Sequence, residues 1–203
     1  MNKYEKMKKV RDEVIALKGS PLYEYRIKNK YHPVLGEGSH DASILFVGEA
    51  PGKNEAIQGR PFVGAAGKLL DQMLEANAIP RSDVYITNIV KDRPPENRDP
   101  MPDEIAACAP YLRRQLEALD PALVVTLGRY SMGTFMPGAR ISQAHGTSRP
   151  VDPATGARDA IAFAMYHPAA ALRATELERT SFADMASVPA ALLAARARRE
   201  QHV

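Results

Sequence analysis

Ser43-Ile44-Leu45-Phe46-Val47-Gly48-Glu49-Ala50-Pro51-Gly52 runs from an unbroken apolar stretch straight into turn residues. Continuous β-branched and aromatic residues, without polar alternation, are the mark of a strand buried on both faces. Three further runs share this length and chemistry, at residues 84–90, 123–127 and 160–166. Between the first two, residues 67–76 put Leu69, Leu70, Met73 and Leu74 on one helical face. Residues 102–119 repeat Ile105, Cys108, Leu112, Leu116 and Leu119 at similar spacing, with Pro102 suited to a first helical position and Asp103 and Glu104 to the positive end of the helix dipole. Strand and helix alternate, so the expected fold is α/β: a single domain with a central four-stranded parallel sheet flanked by helices, an α/β/α sandwich.

Outward from that core, Val10, Val14 and Leu17 give a surface amphipathic helix over about 3–17, stopped by Gly19-Ser20-Pro21. The segment to about residue 40 reads as loop. Residues 137–159 read as a long loop with room for a short strand pair. The Ala- and Arg-rich tail over 189–203 reads as a helix that frays at Val203. One domain over 1–203, with its core at about 17–188, is expected from the length.

Lys+Arg 27 against Asp+Glu 24 gives a net charge of +3, which permits a polyanionic partner without establishing one. Cys108 is the single cysteine, which excludes an internal disulfide and any all-cysteine metal site. The first residues lack the apolar run of a signal peptide, and no apolar stretch approaches the roughly 18 residues of a membrane helix. A cytoplasmic protein without membrane contact is expected.

In open parallel sheets ligands bind beyond the carboxyl ends of the strands. Those ends carry Gly48 to Glu55, Thr87-Asn88 leading to Lys91-Asp92-Arg93-Pro94-Pro95-Glu96-Asn97-Arg98, then Gly128-Arg129, and Tyr166-His167-Pro168. Gly64-Ala65-Ala66-Gly67-Lys68 is not a phosphate-binding P-loop, because Phe62 stands where that motif needs glycine and Leu69 where it needs a hydroxyl. The dinucleotide fingerprint is absent after the first run.

Gly48-Glu49-Ala50-Pro51-Gly52, Gly59-Arg60-Pro61-Phe62-Val63-Gly64, Thr87-Asn88, Arg93-Pro94-Pro95 with Asn97-Arg98, and His167-Pro168 with Leu172-Arg173 together resemble the ordered motifs of family 4 uracil-DNA glycosylases. The resemblance covers about residues 17 to 188. It implies a DNA repair enzyme that flips uracil from DNA, single- or double-stranded, and hydrolyses the N-glycosidic bond, acting as a monomer. Phe62 would stack on the flipped base. Asn88 would read uracil N3–H and O4, where cytosine presents the reverse donor and acceptor order. His167 would donate to O2 as a neutral imidazole, joined by backbone N–H groups near Ala50. Glu55 would orient the attacking water or stabilise the sugar cation, and Glu49 would wall the pocket near C5 against thymine. Leu172 and Arg173 would fill the gap in the duplex, and Arg93, Asn97 and Arg98 would contact DNA.

The resembled family holds a 4Fe–4S cluster on four cysteines. Here Leu17, Ser20 and Asp92 stand at three of those places and only Cys108 remains, so no cofactor is expected and Ser20 and Asp92 are expected to brace the region instead. A second departure is Ala56, where the family carries an acid. Taken singly, Phe62 reads as well as a core aromatic, Asn88 as a turn residue, His167 as structural, Leu172 as core, and Lys91, Arg93 and Arg98 as a solvated basic loop. Cys108 reads as a small buried hydrophobe. Two other functions stay open: a damage-recognising protein without turnover, and a nucleotide-handling hydrolase.

Overall fold

The computed structural model describes residues 1–201. Helix α1 (Lys3–Ile15) starts at Asn2, whose side chain accepts from the Glu5 N–H while Glu5 reaches back to the Asn2 N–H, a reciprocal capping box. Its buried face is Met7, Val10 and Val14, and it ends two residues before the expected 17. The stretch read as loop holds a short helix α2 (Tyr23–Lys28) and a two-residue strand β1 (Glu37–Gly38).

The sheet then follows the expected runs: β2 (Ile44–Gly48), β3 (Tyr85–Asn88), β4 (Leu123–Leu127), and β6 (Ile161–Met165), which comes after a short edge strand β5 (Ser148–Pro150). The strand order is β1-β3-β2-β4-β6-β5. Its four central strands are parallel, as the sequence implied, and β1 and β5 add short antiparallel edges. Leu45 and Val47 face one buried layer with Val124, Ala162 and Ala164, while Ile44 and Phe46 face the other with Val125, Phe163 and Met165. Burial on both faces is why these strands show no polar alternation.

The helices are α3 (Lys53–Gln58), α4 (Ala65–Ala76), α5 (Pro102–Leu119), α6 (Arg129–Phe135), α7 (Ile141–Ala144), α8 (Pro168–Ala171) and α9 (Thr175–Glu200). Residues 137–159, read as a long loop with room for a short strand pair, hold the strand β5, which pairs with β6, and also the short helix α7, which was not expected. The tail is no separate helix from about Pro189: α9 runs through Pro189, and burial of Met185, Val188 and Ala195 offsets the one main-chain hydrogen bond that proline removes. The expected fraying at Val203 lies outside the described residues. Among the described residues, no helix is long and apolar enough to cross a membrane.

Candidate active site

The carboxyl ends of β2, β3, β4 and β6 open into a cleft of about 800 Å³ lined by Glu49, Ala50, Glu55, Phe62, Asn88 and His167. Asn97, Arg98 and Arg173 also line it. Arg93 and Leu172 do not. Leu172, read in isolation as core, is instead 51% exposed at the end of α8.

Gly48 and Asn88 are paired in register across β2 and β3. A Cβ on Gly48 would lie 2.4 Å from Asn88 Oδ1 and 2.7 Å from Phe62 Cζ, so glycine lets both side chains crowd onto the strand end. Asn88 is 2% exposed, and among the described residues its Oδ1 is a buried oxygen with no hydrogen-bond partner. Leaving such an acceptor unmade costs ~1–3 kcal/mol, which marks it as waiting for a donor.

Phe62 adopts φ 50°, a left-handed conformation uncommon outside glycine. Its loop is fastened by Arg81, which donates to Phe62 O at 3.2 Å and Pro61 O at 2.6 Å and pairs with Asp71. Gly67 passes so close that a Cβ there would sit 1.8 Å from Phe62 O. The Phe62 ring stacks on His167, with centroids 5.7 Å apart and planes inclined by 29°.

His167 caps α8: its Nδ1 accepts from the Ala169 N–H at 3.1 Å. In the neutral ring the proton therefore sits on Nε2. Protein surrounds the ring except at the cleft, and this burial pulls its pKa down to about 4, with the charge of Glu55 opposing. Glu55 Oε1 accepts from the Val63 and Gly64 N–H groups at 2.9 and 2.8 Å, at the start of α4. Glu49 is pushed up to about 7 by burial first and by the charge of Asp99 second, against the pull of Arg129.

The basic loop is less free than its composition suggests. Lys91 is fully buried, which overturns the solvated reading for that residue. Arg93 donates to Asn97 Oδ1 and to the Tyr31 hydroxyl, both at 2.7 Å. Arg98 forms a two-pronged pair with Glu104, itself 3% exposed, which also accepts from the Met101 N–H. Sequence reasoning missed the Asp99–Arg129 ion pair at the cleft. Arg129 lies two residues past the end of β4, and that position was its only signal.

Where the resembled family has cysteines, Ser20 Oγ donates to Asp92 Oδ2 at 3.3 Å and Arg26 Nη1 donates to Asp92 Oδ1 at 3.0 Å. Arg26 also ties down Val14 O and Ile15 O at the end of α1. Cys108 is buried and accepts from the Lys91 N–H at 3.4 Å. Among the described residues no group of three or more His, Cys, Asp or Glu is placed to hold a metal ion. A single buried cysteine, with Ser20 and Asp92 at two of the other places, does not supply the ligands of an iron–sulfur cluster.

The family model of the uracil DNA glycosylase superfamily matches residues 35–187. This chain belongs to the uracil DNA glycosylase superfamily. Its relatives include three type-4 uracil-DNA glycosylases. That of Sulfurisphaera tokodaii is 47% identical over 176 residues, 83% of this chain and 76% of the relative. That of Archaeoglobus fulgidus is 43% identical over 166 residues, covering 79% and 82%. That of Thermotoga maritima is 39% identical over 183 residues, covering 89% and 92%. The cleft thus lies in the part of the chain that carries the superfamily's likeness.

Proposed function

We propose that this superfamily member is a monofunctional uracil-DNA glycosylase of base-excision repair, which releases free uracil and leaves an abasic site. The observation that carries the reading is the buried, unpartnered Asn88 Oδ1 beside Phe62. Uracil N3–H is the donor it lacks, and the Asn88 amide N–H then meets O4; cytosine offers an acceptor at N3 and a donor at N4. Phe62 stacks on the base, and Glu49 with Ala50 closes the side near C5, where thymine carries its methyl.

In the reaction the bond between C1′ and N1 breaks and its electron pair leaves with the uracil. His167, neutral with its proton on Nε2, donates to O2, where negative charge gathers. Glu55, held by the Val63 and Gly64 amides, orients the water that adds to C1′. One hydrogen of the water stays on the new C1′ hydroxyl, its other proton leaves to solvent, and the uracil anion takes up a proton at N1 from solvent. Arg173 and the exposed Leu172 face the duplex, the leucine as a wedge for the vacated space. Asn97 and Arg93 steady the neighbouring loop, and Arg98 offers DNA only what its pairing with Glu104 leaves free.

The protein works as a monomer on uracil-containing DNA, single- or double-stranded, in the cytoplasm. It binds no iron–sulfur cluster, and the Ser20–Asp92–Arg26 bonds do the bracing. The variants Glu55→Ala and His167→Ala test the reading: uracil release falls by about 10²-fold or more in each if these residues act in the transition state. A second reading, damage recognition without turnover, is favoured by the buried Ala56 where the resembled family has an acid. It requires uracil-dependent retention on DNA with no abasic product.

A further inference from the structure

Lys91 lies outside the cleft, yet its side chain reaches back to the residue that reads the base. Its Nζ donates to Asn88 O at 2.7 Å, to Thr87 Oγ1 at 2.8 Å and to Gln115 Oε1 at 2.6 Å. Lys91 and Gln115 are each 0% exposed, as is Thr87. Thr87 Oγ1 in turn donates to Leu35 O at 2.6 Å, and Gln115 Nε2 donates to the same carbonyl at 2.8 Å. The result is a closed ring of hydrogen bonds joining β3, α5 and the loop before β1.

The arrangement suits an ammonium. With the Thr87 hydroxyl donating to Leu35 O, the three oxygens of Thr87, Gln115 and Asn88 each accept one hydrogen from Lys91 Nζ. Each partner is an uncharged oxygen. Burial pulls the lysine down to about 7, with the charge of Cys108 opposing, and the three oxygens accept the hydrogens of its protonated form. A buried lysine facing neutral oxygens is an expensive way to fasten a strand, which a leucine would pack with less desolvation.

We propose that Lys91 is a positioning residue for base recognition: its ammonium locks the Asn88 main chain to Thr87 and α5, so that the Asn88 amide meets the base in one orientation. The inference rests on the reading of Asn88 as the uracil-binding residue. The main-chain bonds of this segment act in the same sense: Ile89 N–H donates to Gly48 O and Val90 N–H to Glu49 O, each at 3.0 Å, while Lys91 Nζ holds the Asn88 carbonyl. Misplacing a reading group by a fraction of an ångström costs rate before it costs DNA affinity, because phosphate contacts lie elsewhere.

The experiment measures uracil release and its inhibition by free uracil in the full-length protein, the Lys91→Met variant, and the Thr87→Val and Thr87→Ser pair, each with a thermal melt. Expected for a cooperatively melting Lys91→Met is a kcat lowered about tenfold or more, KM for DNA within about twofold, and inhibition by free uracil weakened to match. A folded variant with unchanged kcat and uracil inhibition overturns the proposal. If Lys91→Met does not fold, the threonine pair decides: Thr87→Ser keeps the hydroxyl and the rate, Thr87→Val loses both, and equal rates overturn it. A wild-type protein that releases no uracil refutes the glycosylase reading itself, and this proposal with it.

Discussion

The imidazole of His167 and the ring of Phe62 stack with centroids 5.7 Å apart, so the group that would stabilise the leaving base and the group that would hold it are built against one another. Phe62 sits on the loop entering α4 and His167 just past the end of β6; Gly48 and Gly67 leave the space for Phe62, and Gly128 passes close to His167.

Replacing Phe62 with leucine keeps most of the apolar volume and removes the aromatic face. Stacking of a base on an aromatic ring is worth ~1–3 kcal/mol, so kcat/KM for uracil release in Phe62→Leu should fall about 10- to 100-fold. An unchanged value, measured beside a thermal melt, would return Phe62 to the role of a plain core residue.

His167 should stay neutral well below the pH at which an ordinary histidine charges. Its folded pKa of about 4 lies under the usual 6.5, so the unfolded chain takes up the proton first as pH falls. The sign follows: this histidine's contribution to stability is full above about 6.5 and is lost as pH drops through that value toward about 4. Nitrogen-15 spectra at pH 6 should show a neutral ring protonated at Nε2. Imidazolium shifts at that pH would contradict the assignment.

Glu49, raised to about 7, is mostly neutral below that pH and a carboxylate above it. A negative charge beside the base opposes the developing uracil anion, so release should slow as pH rises through about 7. In Glu49→Gln that inflection should vanish. A profile identical to that of the unaltered protein would assign the inflection elsewhere.

Around Asp92 the relevant quantity is stability. Arg26→Met leaves a buried carboxylate without its cation and should cost about 3–5 kcal/mol, whereas Ser20→Ala should cost about 1 kcal/mol. Urea unfolding measures both. Purified protein should carry no stoichiometric iron and melt identically with and without a strong chelator; a chelator-sensitive melt would contradict the bracing described for Ser20, Asp92 and Arg26.

The four central strands and helices α4 and α5 were legible because burial on two faces and on one helical stripe leaves distinct residue periods. Helices α2, α3 and α7 were not, since four to six residues are too few to show a period. The continuity of α9 was hidden by Pro189, whose cost is met by packing that only the tertiary structure supplies. In the site, Asn88, Phe62, Glu55 and His167 follow strand ends or ordered motifs and were readable. Lys91 was not: a lysine after an apolar run followed by Arg93 and Arg98 has the composition of a solvated loop, and nothing local reveals that Thr87, Asn88 and Gln115 enclose it. The pairing of Arg98 with Glu104 was hidden for the same reason, because that partner lies on the next helix.

The most direct measurement is mass analysis of an oligonucleotide carrying one uracil, single-stranded and opposite guanine or adenine, after incubation with the purified protein, with thymine and cytosine controls. The pocket built on Asn88 requires an abasic strand and free uracil from the uracil substrates, with the controls intact. Uracil strands recovered whole, or thymine released as readily as uracil, would contradict it.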